Sequence, residues 1–173
     1  MPLSTLLPPP HGVALRDGSR VVIRPIDSGD RDALGAAFER LGEQSRYRRF
    51  LTATPTLADW QLRYLTEVDQ HDHVALAAVD AADGSSIVGV ARSVRLDGSD
   101  AEPALTVVDS WQGRGLGSVL LAALVARSRP AGVTRYRAQV LSENEAMLRL
   151  LAGVGQMRFS TAGSALEVTV ELR

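Results

Sequence analysis

The stretch VVDSWQGRGLGSVLLAAL, residues 107–124, changes character halfway along its length. A short run of β-branched residues leads into a polar turn, glycines then stand at positions 113, 115 and 117, and a long Leu/Ala/Val run follows. This order predicts a strand, a glycine-rich turn and a hydrophobic helix that begins near Leu116. Glycine inside a helix costs about 1 kcal/mol relative to alanine. Gly117 lies in the first turn of this helix, so its presence there requires a structural or functional explanation.

The glycine turn has the features of an anion-binding site. The N–H groups in the first turn of a helix lack intrahelical partners, and the helix dipole adds a partial positive charge there. Glycines allow the backbone to approach a ligand closely. The amides of residues 113–118 therefore predict a phosphate site. The alternative is a tight connection between strand and helix, for which one glycine would suffice.

A dinucleotide site of the Rossmann type does not fit this context. Its G-x-G-x-x-G fingerprint needs a small residue where Ser118 stands, which is a near miss, and it follows the first strand of a βαβ unit with an acidic residue about 20 positions further on. Here the turn lies beyond residue 100, and the corresponding region, TRYRAQ (134–139), contains no acid.

The composition excludes several other classes of site. The 173 residues include no cysteine and no lysine, so all 19 basic residues are arginine. Disulfides, thiolate zinc sites, a cysteine nucleophile, a Walker A phosphate loop and lysine Schiff-base chemistry are therefore excluded. The net charge of −1 gives no reason to expect a nucleic-acid partner. With no apolar run near the ~20 residues of a membrane span and no signal peptide, we expect a cytoplasmic protein.

Periodicity and capping signals predict an α/β domain over residues 19–173, preceded by an extended lead-in over residues 1–18. The predicted helical segments are 30–41, 45–51, 57–68, 116 to about 129, and 142–155. Three of them have capping signals: Asp27 and Asp30 for the first, Thr56 and Asp59 for the third, and a capping box of Ser142 and Glu145 for the last. The strands are 20–26, 73–80, 86–96, 102–109 and 134–141, with a last hairpin of 156–161 and 165–172 about Gly163. Three consecutive strands followed by crossover helices imply one mixed sheet covered by helices.

QGRGLG (112–117), placed after a strand, resembles the Q/R-x-x-G-x-G/A acetyl-CoA signature of the GNAT family of N-acetyltransferases. The segment SENEAMLRLLAGVG (142–155) resembles the family's later helix, in which an asparagine contacts the cofactor, and Asn144 fits that position. The element order matches the family's fold from about residue 20 onward. SRYRRFL, DHVALAAVD and AEPALTVVDSWQGRGLG most resemble the bacterial protein-lysine acetyltransferase (Pat-like) branch.

The resemblance implies a GNAT fold, with a mostly antiparallel mixed sheet of about seven strands. Acetyl-CoA would lie in a V-shaped gap between the fourth and fifth strands, 102–109 and 134–141, with its pyrophosphate on the amides of Gly113 to Ser118. Arg114 would add positive charge for a phosphate, or is an exposed loop arginine. The implied acetyl-CoA-binding residues are Val107, Val108, Gln112, Gly113, Arg114, Gly115, Leu116, Gly117, Ser118 and Asn144. No metal is expected.

Acetyl transfer to an amine requires a base, because an alkyl ammonium has a pKa near ~10.4. Glu102 begins the strand that leads into the glycine turn, and the resemblance agrees, since the Pat-like branch has a glutamate at this "AE" pair. The alternative is a solvated residue at the start of a strand, and Asp100 and Asp109 are weaker candidates. A strand N–H near Val108 is the predicted donor to the thioester oxygen.

This chain has a different residue at the position of the family's usual proton donor. Many members have a tyrosine seven residues after the asparagine, where this chain has Leu151, and Pat-like enzymes also tend to lack it. Tyr64 and Tyr136 have no predicted place, and solvent can protonate the thiolate. The basic and aromatic RYRRF (46–50) either lines the entrance for the acceptor or is a solvated helix face.

We expect an N-acetyltransferase that uses acetyl-CoA to modify a primary amine, with a protein lysine as the expected acceptor. The alternatives are a small-molecule amine or N-terminal acetyltransferase, and a non-catalytic regulator that binds acyl-CoA. His71 and His73 are expected to be surface residues, since no third metal ligand is evident. No nucleic-acid or membrane partner is expected, and the protein is a monomer or a homodimer. The sequence leaves the acceptor and the acyl-chain preference open.

Overall fold

The computed structural model describes residues 10–54 and 56–173, which form an eight-stranded mixed sheet flanked by helices. The strands are β1 (His11–Ala14), β2 (Arg20–Pro25), β3 (His73–Asp80), β4 (Ile87–Asp97), β5 (Asp100–Val107), β6 (Arg135–Leu141), β7 (Gly155–Ala162) and β8 (Ala165–Leu172). The helices are α1 (Arg31–Glu39), α2 (Glu43–Phe50), α3 (Asp59–Thr66), α4 (Leu116–Ser128) and α5 (Glu145–Val154). The predicted mixed α/β fold is confirmed. None of the described helices is both long and apolar enough to cross a bilayer.

The strand order is β1-β2-β3-β4-β5-β6-β8-β7, and every neighbouring pair is antiparallel except β5 and β6. The sheet has eight strands rather than about seven because His11–Ala14, inside the predicted lead-in, pairs with β2 from His11↔Ile23 to Ala14↔Arg20. Leu15 then joins the core with 7% of its surface exposed. The part of the lead-in prediction that concerns residues 1–9 lies outside the described residues.

The helices cover the two faces of the sheet in separate groups. Side chains alternate between faces along a strand, so Gly89 and Arg92 of β4 face opposite sides. A Cβ at Gly89 would meet Leu120 of α4 at 2.8 Å, whereas Arg92 donates a hydrogen bond to the Leu65 carbonyl of α3 at 3.1 Å. Helix α4 therefore lies on one face and α3 on the other, where α1 also packs on β4.

The core is aliphatic and centred on α4. Leu120 and Leu124 have no exposed surface, and Val21 and Val88 from the sheet are equally buried. Burying one such side chain stabilises the fold by about 1.5–3 kcal/mol relative to leaving it exposed. The hydrophobic run that follows the glycine turn is thus explained by burial of α4 against the sheet.

β5 and β6 separate soon after they begin. Their parallel pairing is confined to Asp100↔Arg135 and Ala101↔Tyr136, and an ion pair joins Arg135 Nε to Asp100 Oδ1 at 2.8 Å at this closed end. β6 then continues beside β8 as far as Leu141. The V-shaped gap expected between these two strands is therefore present.

The predicted Asp27–Asp30 capping box is present, but it caps the 3-10 turn Ser28–Asp30 that leads into α1 rather than α1 itself, and the predicted cap before α3 is wrong. Asp27 Oδ1 accepts a hydrogen bond from the Gly29 N–H at 2.8 Å, and Asp30 Oδ2 accepts one from the Asp27 N–H at 2.9 Å. Helix α3 begins at Asp59 rather than near Thr56. There the Ala58 N–H donates to Gln61 Oε1 at 2.8 Å, so a glutamine inside the helix satisfies its first turn.

Candidate active site

A cavity of about 970 Å³ fills the gap between β5 and β6 and extends under the glycine turn. It has the size of a site for a large small-molecule ligand. Its walls come from β5, β6, the turn, and helices α2, α4 and α5. The predicted site residues that line it are Glu102, Val107, Gln112, Gly113, Gly115, Leu116, Gly117, Ser118 and Asn144. Val108 and Arg114, also predicted, are not among its lining residues.

The glycine turn leaves several backbone amides open at the mouth of the cavity. Gly113 and Gly115 adopt left-handed backbone with φ of +76° and +88°, which turns the chain into α4. No side chain of the described residues caps α4. The N–H groups of Leu116, Gly117 and Ser118 therefore lack both an intrahelical partner and a side-chain cap. This is the arrangement of an anion site at a helix N-terminus.

Gly117 lies at a tightly packed position. A Cβ at this position would lie 3.1 Å from Leu150 Cδ1 of α5 and 3.4 Å from Leu105 Cδ2 of β5. Glycine therefore lets α4, α5 and β5 approach one another closely beside the turn.

The backbone groups of Val108 do not face the gap. Its N–H donates to the Val88 carbonyl at 2.9 Å, and its own carbonyl accepts from the Trp111 N–H at 2.8 Å. Val108 is also buried, with 2% of its surface exposed. Hydrogen bonding alternates along an antiparallel strand, so the N–H groups of Leu105 and Val107 point away from β4 and toward the gap. Among the described residues, they are the N–H groups on this edge of β5 that lie beyond its short pairing with β6 and are not used by β4.

Arg114 is also placed differently from the prediction. Its Nη1 forms an ion pair with Asp17 Oδ2 at 3.1 Å, and its Nη2 donates to the Ser110 carbonyl at 2.8 Å. The guanidinium carbon lies 4.5 Å from the centre of the Trp111 ring. These contacts hold Arg114 on the outer side of the turn and explain why it does not line the cavity.

Arg16 is a lining residue that the sequence did not indicate. It follows β1, within the predicted lead-in, and its N–H donates to the Arg114 carbonyl at 3.2 Å. A Cβ at Gly115 would lie 3.1 Å from Arg16 Nε, so the guanidinium stem lies against the turn. No motif marks this arginine. The pairing of β1 with β2 and its hydrogen bond to the turn bring it to the cavity.

Gln112 links the turn to its surroundings. Its Nε2 donates to the Val107 carbonyl at 3.1 Å and to Ser45 Oγ of α2 at 3.3 Å. Asp109 adds a second link, because its Oδ2 accepts from the Gly42 N–H, just before α2, at 3.2 Å. The glycine turn and the N-terminus of α2 are thereby held together.

Asn144 is the N-cap of α5, whereas the sequence predicted Ser142 in this role. Its Oδ1 accepts from the Met147 N–H at 3.3 Å, whereas Ser142 Oγ donates to the Ser164 carbonyl at 3.3 Å. The Ser142–Glu145 capping box is therefore wrong. Because the cap uses Asn144 Oδ1, the amide Nδ2 of this cavity-lining residue is left as a donor.

Glu102 is the acid that faces the cavity from β5. It is exposed and pairs in register with Val94, on the face that bears Arg92. The weaker candidates are used elsewhere: the Arg135 guanidinium holds the pKa of Asp100 below its usual range, and Asp109 binds the backbone before α2. Arg49 of α2 lines the same cavity, and the charge of Glu102 acts on it.

Among the described residues, no tyrosine lines the large cavity. Tyr136 is fully buried, its hydroxyl donates to Ser128 Oγ at 3.1 Å, and burial raises its pKa to about 12. Tyr64 lies on α3 with 55% of its surface exposed. Leu151, at the position of the usual tyrosine, has no exposed surface.

His71 and His73 have different environments, and only one of these two is on the surface as predicted. His71 is exposed and hydrogen-bonds Asp72 Oδ1 through Nδ1 at 3.0 Å. His73 is half-buried, and burial followed by the charge of Arg92 lowers its pKa to about 4. No group of three metal-ligating side chains occurs in the part of the chain that the structure describes.

Comparisons with known proteins match this architecture. The family model of the acetyltransferase (GNAT) domain matches residues 20–156. Acetyltransferase Pat of Mycolicibacterium smegmatis is 36% identical over 149 residues, which is 84% of this chain and 44% of that protein. The chain thus spans less than half the length of this relative. An acetyltransferase of Pseudomonas aeruginosa is 31% identical over 148 residues, 82% of this chain and 77% of that protein.

Solved structures agree. The GNAT domain of S. lividans PAT superposes with a TM-score of 0.86 at 30% identity, covering 94% of this chain and 97% of that one. The acetyltransferase yncA of Salmonella typhimurium, described as putative and solved with acetyl-CoA, shares the fold at a TM-score of 0.67 and 20% identity, over 88% and 94% of the two chains. The chain belongs to the GNAT family of N-acetyltransferases.

Proposed function

We propose that the protein transfers the acetyl group of acetyl-CoA to a primary amine, and that this amine is the side chain of a protein lysine. The observation that supports this most directly is the gap between β5 and β6, which has open amides at one end and Glu102 on its wall. GNAT acetyltransferases use acetyl-CoA, and the similarity to Pat proteins supports a protein lysine as the acceptor.

In this proposal the pyrophosphate of acetyl-CoA binds the N–H groups of Gly113 to Ser118. Gln112 holds the turn in shape, and Arg16 supplies the positive charge that Arg114, paired with Asp17, does not. Guanidinium groups form strong, forked hydrogen bonds to phosphate oxygens. The Nδ2 of Asn144 is a further donor to the cosubstrate from the α5 side.

The edge of β5 binds the pantetheine arm in the manner of an added strand. The N–H groups of Leu105 and Val107 have no partner in β4 and face the gap, so they take over the part predicted for Val108. One of them donates to the thioester oxygen, where negative charge develops during the reaction. Such a preorganised donor stabilises the oxyanion in a transition state.

Glu102 acts as the general base, directly or through a water molecule. Acetyl-CoA supplies a thioester whose carbonyl carbon accepts the amine. Because an alkyl ammonium has a pKa near ~10.4, its proton must be removed before the nitrogen can attack. The proton passes to the Glu102 carboxylate, the new amide C–N bond forms, and the C–S bond breaks. Solvent in the open cavity protonates the thiolate, since no described tyrosine reaches it.

The test compares Glu102→Gln with Glu167→Gln, which removes an exposed carboxylate from β8 without touching the cavity. Acetyl transfer is measured with a lysine peptide, a small diamine, and a peptide with only its N-terminal amine free. We expect Glu102→Gln to lower kcat by about 10²- to 10⁴-fold with unchanged affinity for acetyl-CoA, and Glu167→Gln to behave as the parent protein.

The outcomes separate the proposed function from its alternatives. Preference for the diamine or the N-terminal amine would contradict the lysine assignment and leave the reaction class intact. Binding of acetyl-CoA with no turnover on any amine would indicate a non-catalytic regulator. Equal kcat for Glu102→Gln and the parent protein would remove Glu102 from the mechanism.

A further inference from the structure

A second, much smaller cavity of about 40 Å³ lies between the sheet and helices α1, α2 and α3. Two arginines line it, Arg49 from α2 and Arg92 from β4. Apart from Thr106, the other described residues of its wall are apolar or glycine: Leu34, Ala37, Phe38, Leu41, Phe50, Leu57, Leu65, Ile87, Gly89, Val90 and Val108. No acidic side chain of the described residues lines this cavity.

Arg92 is an unusual residue for such a place. Only 4% of its surface is exposed. Its Nη1 donates to the Leu65 carbonyl at 3.1 Å and to His73 Nε2 at 3.0 Å, so its hydrogen-bond partners in the described protein are neutral. Burial, followed by the charge of Arg49, lowers the pKa of Arg92 to about 9. Burial also lowers the pKa of Arg49.

Two guanidinium groups at one apolar cavity are costly for stability. A buried charge is tolerated when it is paired, and the charge of Arg49 disfavours the charged form of Arg92. An anion in the cavity would remove both penalties at once. Strongly perturbed ionisable groups in a cleft are also typical of functional sites.

Arg49 connects this cavity to the candidate active site. Together with Phe50 and Thr106 it lines both cavities. The field of the Glu102 carboxylate, on the wall of the large cavity, reaches the Arg49 guanidinium. A molecule that places its amine at Glu102 therefore lies in the same cavity as Arg49, which also lines the small cavity together with Arg92.

We propose that Arg49 and Arg92 form a subsite for a carboxylate of the acceptor, so that the preferred substrate bears an acid close to the reacting amine. The inference rests on the proposed function. A cavity of this size holds one small planar group, since about 10–15 Å³ accommodates one water molecule. A guanidinium binds a carboxylate through two parallel hydrogen bonds. The carboxylate comes either from an acidic residue beside a protein lysine or from the α-carboxylate of a free amino acid.

Two matched substrate pairs distinguish these sources. The first is a pair of single-lysine peptides in which the residues beside the lysine are Glu or Gln. The second is free lysine and cadaverine, which is lysine without its carboxylate. We expect kcat/KM to favour the acidic member of one pair by about 10- to 100-fold, the range of a hydrogen bond to a charged group. The pair that shows the preference identifies the source.

The matched protein variants are Arg49→Gln and Arg158→Gln, the latter at an exposed site on β7 that lines neither cavity. Arg49→Gln should reduce the preference to about twofold or less, mainly by lowering kcat/KM for the acidic substrate, and Arg158→Gln should keep it. Arg92→Lys, which retains charge without the planar fork, should give an intermediate preference. If Arg92→Lys does not fold, Arg49→Gln still decides the question.

A binding measurement separates failure of the subsite from failure of the proposed function. Sodium formate, a small carboxylate, should raise the melting temperature of the parent protein relative to sodium isethionate at equal ionic strength, and Arg49→Gln should abolish this difference. Equal rates within both substrate pairs would overturn the subsite while acetyl transfer stands. Formate stabilisation without acetylation of any amine would overturn the acceptor role and leave an anion site. An equal loss for both members of a pair in Arg49→Gln would also refute the proposal.

Discussion

Replacement of Gly113 by alanine tests the glycine turn with little change to its packing. Gly113 has φ of +76°, and a Cβ there would have no heavy atom of the described protein within 4 Å. Gly84, in the turn between β3 and β4, offers a matched control, because its φ is +70° and its Cβ would also meet nothing within 4 Å. The two sites differ in position, since only Gly113 lines the large cavity.

The effect on stability follows from backbone strain alone and is the same at both sites. An L-residue in left-handed backbone costs roughly 1–2 kcal/mol. For a domain of this size, that lowers Tm by roughly 2–8 °C. Gly113→Ala and Gly84→Ala should therefore melt at similar temperatures, below the parent protein.

The affinity for acetyl-CoA should distinguish the two variants. In the proposed binding mode a methyl group at Gly113 would stand between the phosphate and the open amides, so we expect affinity to fall at least about tenfold, or 1.4 kcal/mol. Gly84→Ala should bind as the parent protein does. The assay is isothermal titration calorimetry with acetyl-CoA beside a thermal melt of each variant. If Gly113→Ala is destabilised like Gly84→Ala yet binds with parental affinity, the turn does not hold the pyrophosphate.

Three further predictions concern groups outside the turn. Tyr136→Phe should lower the free energy of unfolding by about 1–3 kcal/mol because Ser128 loses its buried hydrogen-bond partner. Its kcat should equal that of the parent protein. A tenfold fall in kcat would show that the Tyr136 hydroxyl takes part in the reaction. Since the pKa of His73 falls from 6.5 to about 4 on folding, the unfolded chain binds more protons in that range, and stability should decline as pH falls from 6.5 to 4. Thermal melts of His73→Gln, which keeps an acceptor for Arg92, should lack that part of the decline, and parallel pH curves would refute the assignment. Because the chain contains no lysine, mass spectrometry after incubation with acetyl-CoA should find at most one acetyl group, on the N-terminal amine, and several would contradict lysine-type amine chemistry.

The element order and the glycine turn could be predicted because each depends on local sequence. The strand before the turn, the run of α4 and the hairpin about Gly163 all have periodicity or turn residues that specify them. β1 could not be predicted in this way. HGVA (11–14) is short and follows three prolines, and its strand conformation comes from pairing with β2, which is a tertiary interaction.

The roles of individual site residues depend on register and on distant partners. Whether Val107 or Val108 presents its N–H to the gap is decided by the register of β5 on β4, and a shift of one residue exchanges them. Arg114 is turned away by Asp17, and Arg16 replaces it on the cavity wall. Neither partner is near the motif in sequence, so a local pattern could not reveal the exchange.

In the proposed function, open amides at the mouth of the gap hold acetyl-CoA. Amide NMR spectra of isotope-labelled protein, recorded during titration with acetyl-CoA, test it most directly. The largest shifts are predicted at Gly113, at residues 115–118, and at Leu105 and Val107 on the edge of β5. Saturation with no shift at these amides, or with shifts confined to α1 and α3 on the opposite face, would contradict the claim.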